Sequence, residues 1–383
     1  MRRRIAFVVA DPGTASAFLV GHLGALARIH EVTLIANTSD PQLLRSLGVD
    51  GETRAVPIER AIRPFRDLRT LVRLASLFRR ERYDAVHSVT PKAGLLAMTA
   101  AAIARIPMRT HSFTGQVWAT KTGLARWMLK TLDRVTHRLT TFTLVDSPSQ
   151  LAFLVEQQVV RPGKAAVLAD GSISGVDTRR FRPDSEAREK LRNRLSIKAH
   201  HIMLLFVGRL KVDKGVLDLA RAFAEISPAC PDARLVLVGP DEDGLAGRIR
   251  AALGPAAGAA RIEGGTATPE AYMAAADLFC LPSYREGFGS VLVEAGAAGI
   301  PAVASEIYGI VDAVEDGVTG LLHPPRDTAA LARKMRNLIE DPALRIRLGQ
   351  AARERALARF SSERLTQAMV DYYRDRLPPE PAP

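Results

Sequence analysis

Two doubly wound α/β domains are expected from this chain, on three observations. Short runs rich in Val, Ile and Leu alternate with longer helix-period stretches from end to end. Most of the runs are continuously apolar rather than alternating, as in strands buried on both faces between helices. The rhythm also stops once, at a stretch rich in Gly, Pro and charge, and then restarts. A chain of 383 residues, 47% hydrophobic and 25% charged, is long enough for two full cores.

The first series is Ile5–Ala10, Val32–Asn37, Ala85–Ser88, Arg109–Ser112 and Phe142–Asp146. The second is Ile202–Gly208, Arg234–Gly239, Ala260–Glu263, Leu278–Pro282 and Ala302–Ser305. The stretch Gly171–Asp184 reads as the connection, which gives domains at 1–183 and 184–360. The last helix, Ser361–Leu377, is expected to pack back on the first domain, and the Pro-rich tail 378–383 to be flexible. Two such domains facing each other leave a central cleft at the carboxyl ends of both sheets, where folds of this kind bind ligands.

The apolar run after the arginines at positions 2–4 covers only Ile5–Ala10 before Asp11-Pro12-Gly13 ends it. That suits a first buried strand better than a signal peptide. No apolar run reaches the ~18–20 residues of a membrane span. Cys230 and Cys280 make no disulfide framework and suit a reducing compartment. A cytoplasmic protein, soluble or peripheral, is therefore expected.

The formal charge is +12, and all of the excess lies in the first half: residues 1–185 hold 27 Lys+Arg against 15 Asp+Glu, and the remainder 26 against 26. One-sided charge implies an anionic partner, whether nucleic acid, an anionic lipid headgroup or a phosphorylated acceptor. Nucleic acid is disfavoured, because aromatic residues are only 5% and no recognised binding motif appears.

There is no Walker A motif and no Gly-x-Gly-x-x-Gly after the first strand, so P-loop phosphoryl transfer and dinucleotide redox chemistry lose their best markers. The turn after the strand Ile202–Gly208 instead reads Gly208-Arg209-Leu210-Lys211-Val212-Asp213-Lys214-Gly215. Two cations and free backbone N–H groups at a helix start suit a diphosphate. In Glu286-Gly287-Phe288-Gly289-Ser290-Val291-Leu292-Val293-Glu294, two carboxylates stand eight apart. Gly287 and Gly289 let backbone approach a ligand, and a carboxylate accepts hydrogen bonds from neighbouring hydroxyls such as those of a sugar or ribose. Asp241-Glu242-Asp243 matches a metal-binding D-x-D but follows a Gly-Pro turn in the wrong architecture. It is read as a polar loop.

These features resemble the retaining GT-B glycosyltransferases of the large family 4 group. The resemblance rests on Gly208–Gly215, Gly239-Pro240-Asp241, the E-x7-E stretch Pro282–Ser305 and Asp316–Leu322. It implies that Arg209 and Lys214 hold the diphosphate of a nucleotide sugar, most simply a UDP-sugar, and stabilise the leaving group without a metal or other cofactor. It further implies that Glu286 and the backbone of Gly287, Phe288 and Gly289 hold the donor sugar, that Glu294 holds the ribose, and that the chain around Gly239 and Ile262 lies near the base. The loop Asp11–Ser16 departs from relatives that carry a Gly-Gly pair. This weakens the donor-phosphate contact through Gly13.

In the first domain, His111 is placed at a strand end, where related enzymes have a His near the reacting sugar. His87 is its structural competitor. Thr90–Leu96 (with Lys92), Gly115–Trp118 and Gly171–Asp177 resemble a narrower bacterial subgroup that extends polyprenyl-diphosphate-linked sugars for capsule, O-antigen or protein glycans. Arg126, Lys130 and Arg134 recur every four residues, hence on one helix face, beside Trp118 and Trp127. This suits an anionic membrane surface or a lipid diphosphate. The charge and this resemblance together favour a peripheral place on the inner face of the cytoplasmic membrane. The arginines of Pro64–Arg82 are read as facing water. The reading is thus a hexosyl or N-acetylhexosaminyl transferase with a lipid-linked acceptor. Other enzymes of the same architecture, such as nucleotide-sugar epimerases or phosphorylases, are its rivals.

Overall fold

A computed structural model describes residues 2–59, 61 and 63–377; the tail expected at 378–383 lies outside them. The chain divides into two compact units, one of residues 1–174 with 362–383 and one of Gly175–Ser361.

The first unit holds seven strands: β1 (Arg4–Val8), β2 (Glu31–Ala36), β3 (Glu52–Ala55), β4 (Ala85–Val89), β5 (Met108–Phe113), β6 (Phe142–Val145) and β7 (Ala165–Val167). They form one parallel sheet in the order β3-β2-β1-β4-β5-β6-β7. The second unit holds β8 (Ile202–Val207), β9 (Ala233–Val238), β10 (Ala260–Glu263), β11 (Leu278–Leu281), β12 (Ala302–Ser305) and β13 (Gly320–His323). Their order is β10-β9-β8-β11-β12-β13, again all parallel. Both are doubly wound, Rossmann-like sheets whose order reverses once, between β1 and β4 and between β8 and β11. Ligands of such sheets bind outside the carboxyl ends of the strands at that reversal.

The domain boundary falls at 174/175 rather than 183/184, because the connection is stitched into the second unit. The Val176 N–H donates to the Phe360 carbonyl at 2.7 Å, and Phe181 belongs to that unit's core. The C-terminal helix, Ser362–Arg376, groups with the first unit. Its Tyr373 hydroxyl lies 2.9 Å from His87 Nδ1, and the other ring nitrogen of His87 lies 2.7 Å from Ser112 Oγ. Tyr372 meets Thr110 Oγ1 at 2.8 Å. All five side chains are buried. Burial pushes the His87 pKa down to about 3, so the ring stays neutral, with one nitrogen donating and the other accepting. His87 is thus a bolt between β4, β5 and the last helix.

His111 is not at a strand end. β5 runs on to Phe113, and the His111 ring sits in the interior between Ser88 Oγ (2.8 Å to Nδ1), the Phe113 ring and Gly94, where a Cβ would collide with it.

Removing the Tyr373 hydroxyl leaves a buried ring nitrogen without its partner, which costs about 1–3 kcal/mol. Tyr373→Phe is expected to move the denaturant unfolding of the first unit to lower midpoint. An unchanged midpoint would show that the hydroxyl does not bolt the helix.

Candidate functional site

In the second unit, the turns after β8, β9 and β11 converge. Gly208 (φ 155°) and Gly239 (φ 148°) close β8 and β9. A Cβ on Gly239 would run into the Gly208 carbonyl oxygen, so only glycine lets the β9 turn support the backbone that carries Arg209. Lys214 ends a single 3-10 turn, Val212–Lys214. Gly215 (φ 68°) then opens the helix Val216–Ile226, against the Pro282 carbonyl.

Charge ties the two loops at the reversal. Lys214 Nζ meets Glu286 Oε1 at 2.5 Å, and both side chains are largely enclosed. The Arg285 guanidinium meets Asp213 at 2.8 Å, while the Tyr284 N–H donates to the Asp213 carbonyl at 2.8 Å. Burial alone would push the Asp213 carboxyl up. The hydrogen bond and charge of Arg285, with Lys214 and Arg209, outweigh it and hold the carboxyl below its ordinary range.

Arg209 is more open. Its guanidinium lies 3.4 Å from Glu242, which also takes Lys211 at 3.2 Å. Asp243 accepts from the Val212 N–H at 3.3 Å, and Asp241 caps the N–H groups of Leu245 and Ala246. Each acid of the D-x-D stretch therefore has protein donors. Glu242 is the residue whose importance the sequence understated: it is an internal anion on Arg209, one of the two cations expected to grip a diphosphate, and on the neighbouring Lys211.

Past Glu286, Gly289 (φ 76°) opens the helix Ser290–Ala297. The Phe288 ring points into the core against Phe360, which leaves its backbone as the part able to meet a ligand. Glu294 is partly accessible on that helix, and burial pushes its carboxyl up to about 7. Ile262 lies one strand beyond β9, in register with Leu237, and packs partly into the core. Arg209, Lys214, Glu286 and Gly239 thus come together as neighbouring loops, with Glu294 on the adjoining helix.

The first unit changes several expectations. The Gly13 N–H already donates to Asp11 Oδ1 at 3.1 Å, where Asp11 caps the helix Pro12–Phe18. That N–H is therefore engaged within the protein, and a carboxylate at the helix start disfavours a diphosphate there. Burial drives His111 down to about 3, which removes it as a charged group near neutrality. Trp118 is core, with Nε1 donating to Asp133 at 2.7 Å and its ring stacked on Phe153. Lys92 is paired with Asp67 at 2.7 Å. Arg126, Lys130 and Arg134 do share a face of the helix Gly123–Leu139, but that face is occupied. Arg126 and Lys130 donate to Gln157 Oε1, and Arg134 donates to the carbonyls of Gln157 and Gln158.

Asp146, directly after β6, went unmarked because Val145-Asp146-Ser147-Pro148 reads as an ordinary turn into a helix. Its backbone is held by Gln150 Oε1 and the Ser172 N–H. Gln150 Nε2 bridges onward to the Thr114 carbonyl and Gln116 Oε1, both at 3.0 Å. No hydrogen bond or ion pair among the described residues engages the Asp146 carboxyl. Burial pushes it up to about 8, so near neutrality it is mostly a carboxylic acid able to donate, at the ligand edge of the first sheet.

Among the described residues, His200, His201 and Asp232 form the one three-residue group with metal-ligand spacing. Both ring nitrogens of His201 already have partners, the Lys198 N–H at 3.0 Å and Arg234 at 2.7 Å. The group also stands at the amino end of β8, away from the converging loops.

An aspartic acid whose native pKa is far above its ordinary value of about 3.9 keeps its proton in the folded state after the unfolded chain has lost its own. Folding stability therefore falls as pH rises from about 4 toward 8. Asp146→Asn is expected to flatten the decline in melting temperature between pH 6 and 8. A decline as steep as that of the unsubstituted protein would mean that Asp146 titrates normally.

Residues 187–355 match the family model of the group 1 glycosyl transferases, and residues 18–171 match the glycosyl transferase 4-like domain. The chain is 28% identical over 325 residues to the capsular polysaccharide biosynthesis glycosyltransferase CapM of Staphylococcus aureus, covering 83% of each chain. It is 36% identical over 231 residues to the D-inositol 3-phosphate glycosyltransferase of Streptomyces avermitilis, which is 57% of this chain and 48% of that one. Among solved structures, Anabaena HepE in complex with UDP and glucose superposes with a TM-score of 0.81 over 98% of this chain and all of that one, at 21% identity. With the converging glycine turns of the second sheet, these likenesses identify the chain as a GT-B glycosyltransferase, built from a glycosyl transferase 4-like domain and a group 1 glycosyl transferase domain.

Proposed function

We propose that the protein transfers a hexosyl or N-acetylhexosaminyl group from a UDP-sugar, with retention at the anomeric carbon, to a hydroxyl of a polyprenyl-diphosphate-linked saccharide in cell-surface polysaccharide synthesis. The observation that carries this reading is the enclosed Lys214–Glu286 pair beside Arg209 at the carboxyl ends of β8 and β11. A diphosphate needs fixed positive charge, and a sugar needs a hydroxyl acceptor held at a set distance from it. The two paired loops offer both side by side at the reversal in strand order. The capsular assignment of CapM and the UDP and glucose bound to HepE are properties of those proteins, and they favour the same donor and pathway class here.

In this reading, breaking the glycosyl bond places growing charge on the diphosphate, and Arg209 and Lys214 stabilise it more in the transition state than in the ground state. Glu286 orients the donor hydroxyls and keeps Lys214 in place. Glu294 accepts from the ribose diol. The leaving phosphate takes the acceptor proton on the face from which it departs, which yields retention. The fixed cations do the work of a metal, so chelation by EDTA leaves turnover unchanged.

The decisive experiment is a panel of nucleotide sugars assayed with lipid-linked and short-chain acceptors, with the product's anomeric configuration read by NMR. Nucleotide release only when acceptor is present supports transfer, and conversion of the donor without acceptor into an epimeric nucleotide sugar supports epimerase chemistry. Lys214→Ala is expected to lower kcat by about 10²–10³-fold, as loss of one transition-state donor does, and Arg209→Ala to act in the same direction. Turnover at the unsubstituted rate in both variants would sink the reading.

Glu242 gives a test of opposite sign. It competes with the ligand for Arg209 and Lys211, and exposed pairs of this kind are worth roughly 0–1 kcal/mol. Glu242→Gln is expected to tighten UDP binding by up to about fivefold by titration calorimetry. Weaker binding would mean that Glu242 contacts the nucleotide itself.

A further inference from the structure

The helices Pro64–Glu81, Pro91–Ile103 and Gly123–Leu139 pack side by side on the first sheet. The outer two expose apolar side chains that a water-facing helix has no reason to carry. On Pro64–Glu81, Phe65 is 91% exposed, Leu68 59% and Val72 62%. Their three- and four-residue spacings put them on one face. On Gly123–Leu139, Leu124 is 77% exposed, Trp127 62% and Met128 43%, again on one face.

Both sets lie in the first half of their helix. A helix in a parallel α/β unit runs antiparallel to its strands, so its first turns stand at the strands' carboxyl edge. Both apolar patches therefore flank the ligand edge of the first sheet.

The charge beside them is one-sided. Arg69 and Arg73 are exposed on the face of Phe65 and Val72, and neither makes a hydrogen bond or ion pair among the described residues. The acids of the same helix are turned away: Asp67 holds Lys92, and Glu81 holds Arg4 at 2.8 Å. Exposed aromatic and aliphatic groups beside unpaired arginines are complementary to an anionic headgroup region with acyl chains beneath it.

We propose that this face, and not the Arg126–Lys130–Arg134 stripe, seats the protein on an anionic lipid bilayer. Phe65, Leu68, Val72 and Trp127 enter the headgroup boundary, and Arg69 and Arg73 meet lipid phosphates. The ligand edge of the first unit is then held at the surface from which a lipid-borne acceptor arrives. That purpose rests on the proposed acceptor; the docking itself does not.

The test uses the full chain and vesicles of phosphatidylcholine with or without about 30 mol % phosphatidylglycerol. The chain has two tryptophans, and Trp118 is sealed in the core, so an emission shift reports Trp127. The expected result is co-sedimentation with the anionic vesicles, a blue shift, and quenching by brominated lipid. Phe65→Ser/Leu68→Ser/Val72→Ser and, separately, Arg69→Gln/Arg73→Gln are each expected to weaken this binding roughly tenfold or more, with the thermal shift by UDP unchanged. Variants that keep the shift and bind vesicles as the parent does overturn the proposal. So does a parent that ignores anionic vesicles but forms a dimer that the triple variant dissociates, which gives the face to a second copy. If vesicles bind through this face and no lipid-linked acceptor is glycosylated, the docking stands and the acceptor reading falls.

Discussion

The second unit depends on one clasp. β8 and β11 are neighbours in the sheet but lie some seventy residues apart in the chain, and each ends in a loop with its own polar groups to satisfy. Lys214 with Glu286 and Asp213 with Arg285 satisfy them across the reversal in strand order. Such enclosed pairs add little net stability, but removing one partner strands a charge. Their worth is geometric. They fix a cation, a carboxylate and the glycine turns in one arrangement before any ligand arrives, and a transition state rewards that preorganisation.

The first unit repeats the topology without the chemistry. Its helix start after β1 is filled by Asp11, whereas the corresponding turn after β8 presents Arg209 and Lys214. The whole formal excess of +12 nevertheless sits in the half that lacks the clasp. Much of that charge is spent on the protein's own backbone: Arg109 donates to the Leu139 and Ile106 carbonyls, and Lys164 to those of His137 and Arg138. Net charge therefore says little about where an anionic ligand binds. The relevant cations are those left without an internal partner, or opposed by only one carboxylate.

The same distinction explains what the sequence could disclose. Most central strands were legible because a strand buried on both faces is largely apolar; β4 and β5 depart from this, with buried His, Ser and Thr that bond to one another and to the last helix. β3, β7 and β13 were not legible: all three are sheet-edge strands of three or four residues, and β3 (Glu-Thr-Arg-Ala) is largely polar. The Gly-Arg turn and the Glu spacing were legible because glycine and charge at a strand end have few structural uses. The four-residue recurrence of Arg126, Lys130 and Arg134 fixed their shared face correctly. It could not reveal that Gln157 and Gln158, from the next helix and its turn, would cover that face. Trp118 and His111 misled for the same reason. Burial is a property of neighbours that local spacing does not encode.

Burial also decides which groups stay charged. All five histidines of the first unit have lowered pKa values, with desolvation the leading cause at each. Their rings stay neutral, so the basic character of this unit at neutral pH comes from Arg and Lys alone. Asp133 and Asp146 shift the other way, to about 7 and about 8. Asp133 is then about half ionised at pH 7, and Asp146 gains most of its charge only as the solution becomes alkaline. The titratable interior of the first unit is thus largely uncharged near neutrality, and its hydrogen bonds run through neutral His, Tyr, Thr and Gln. The second unit keeps its charges as facing pairs at the strand ends. One sheet order serves two uses: a lobe whose interior is largely neutral and hydrogen-bonded, and a lobe that sets facing ion pairs at the carboxyl ends of β8 and β11.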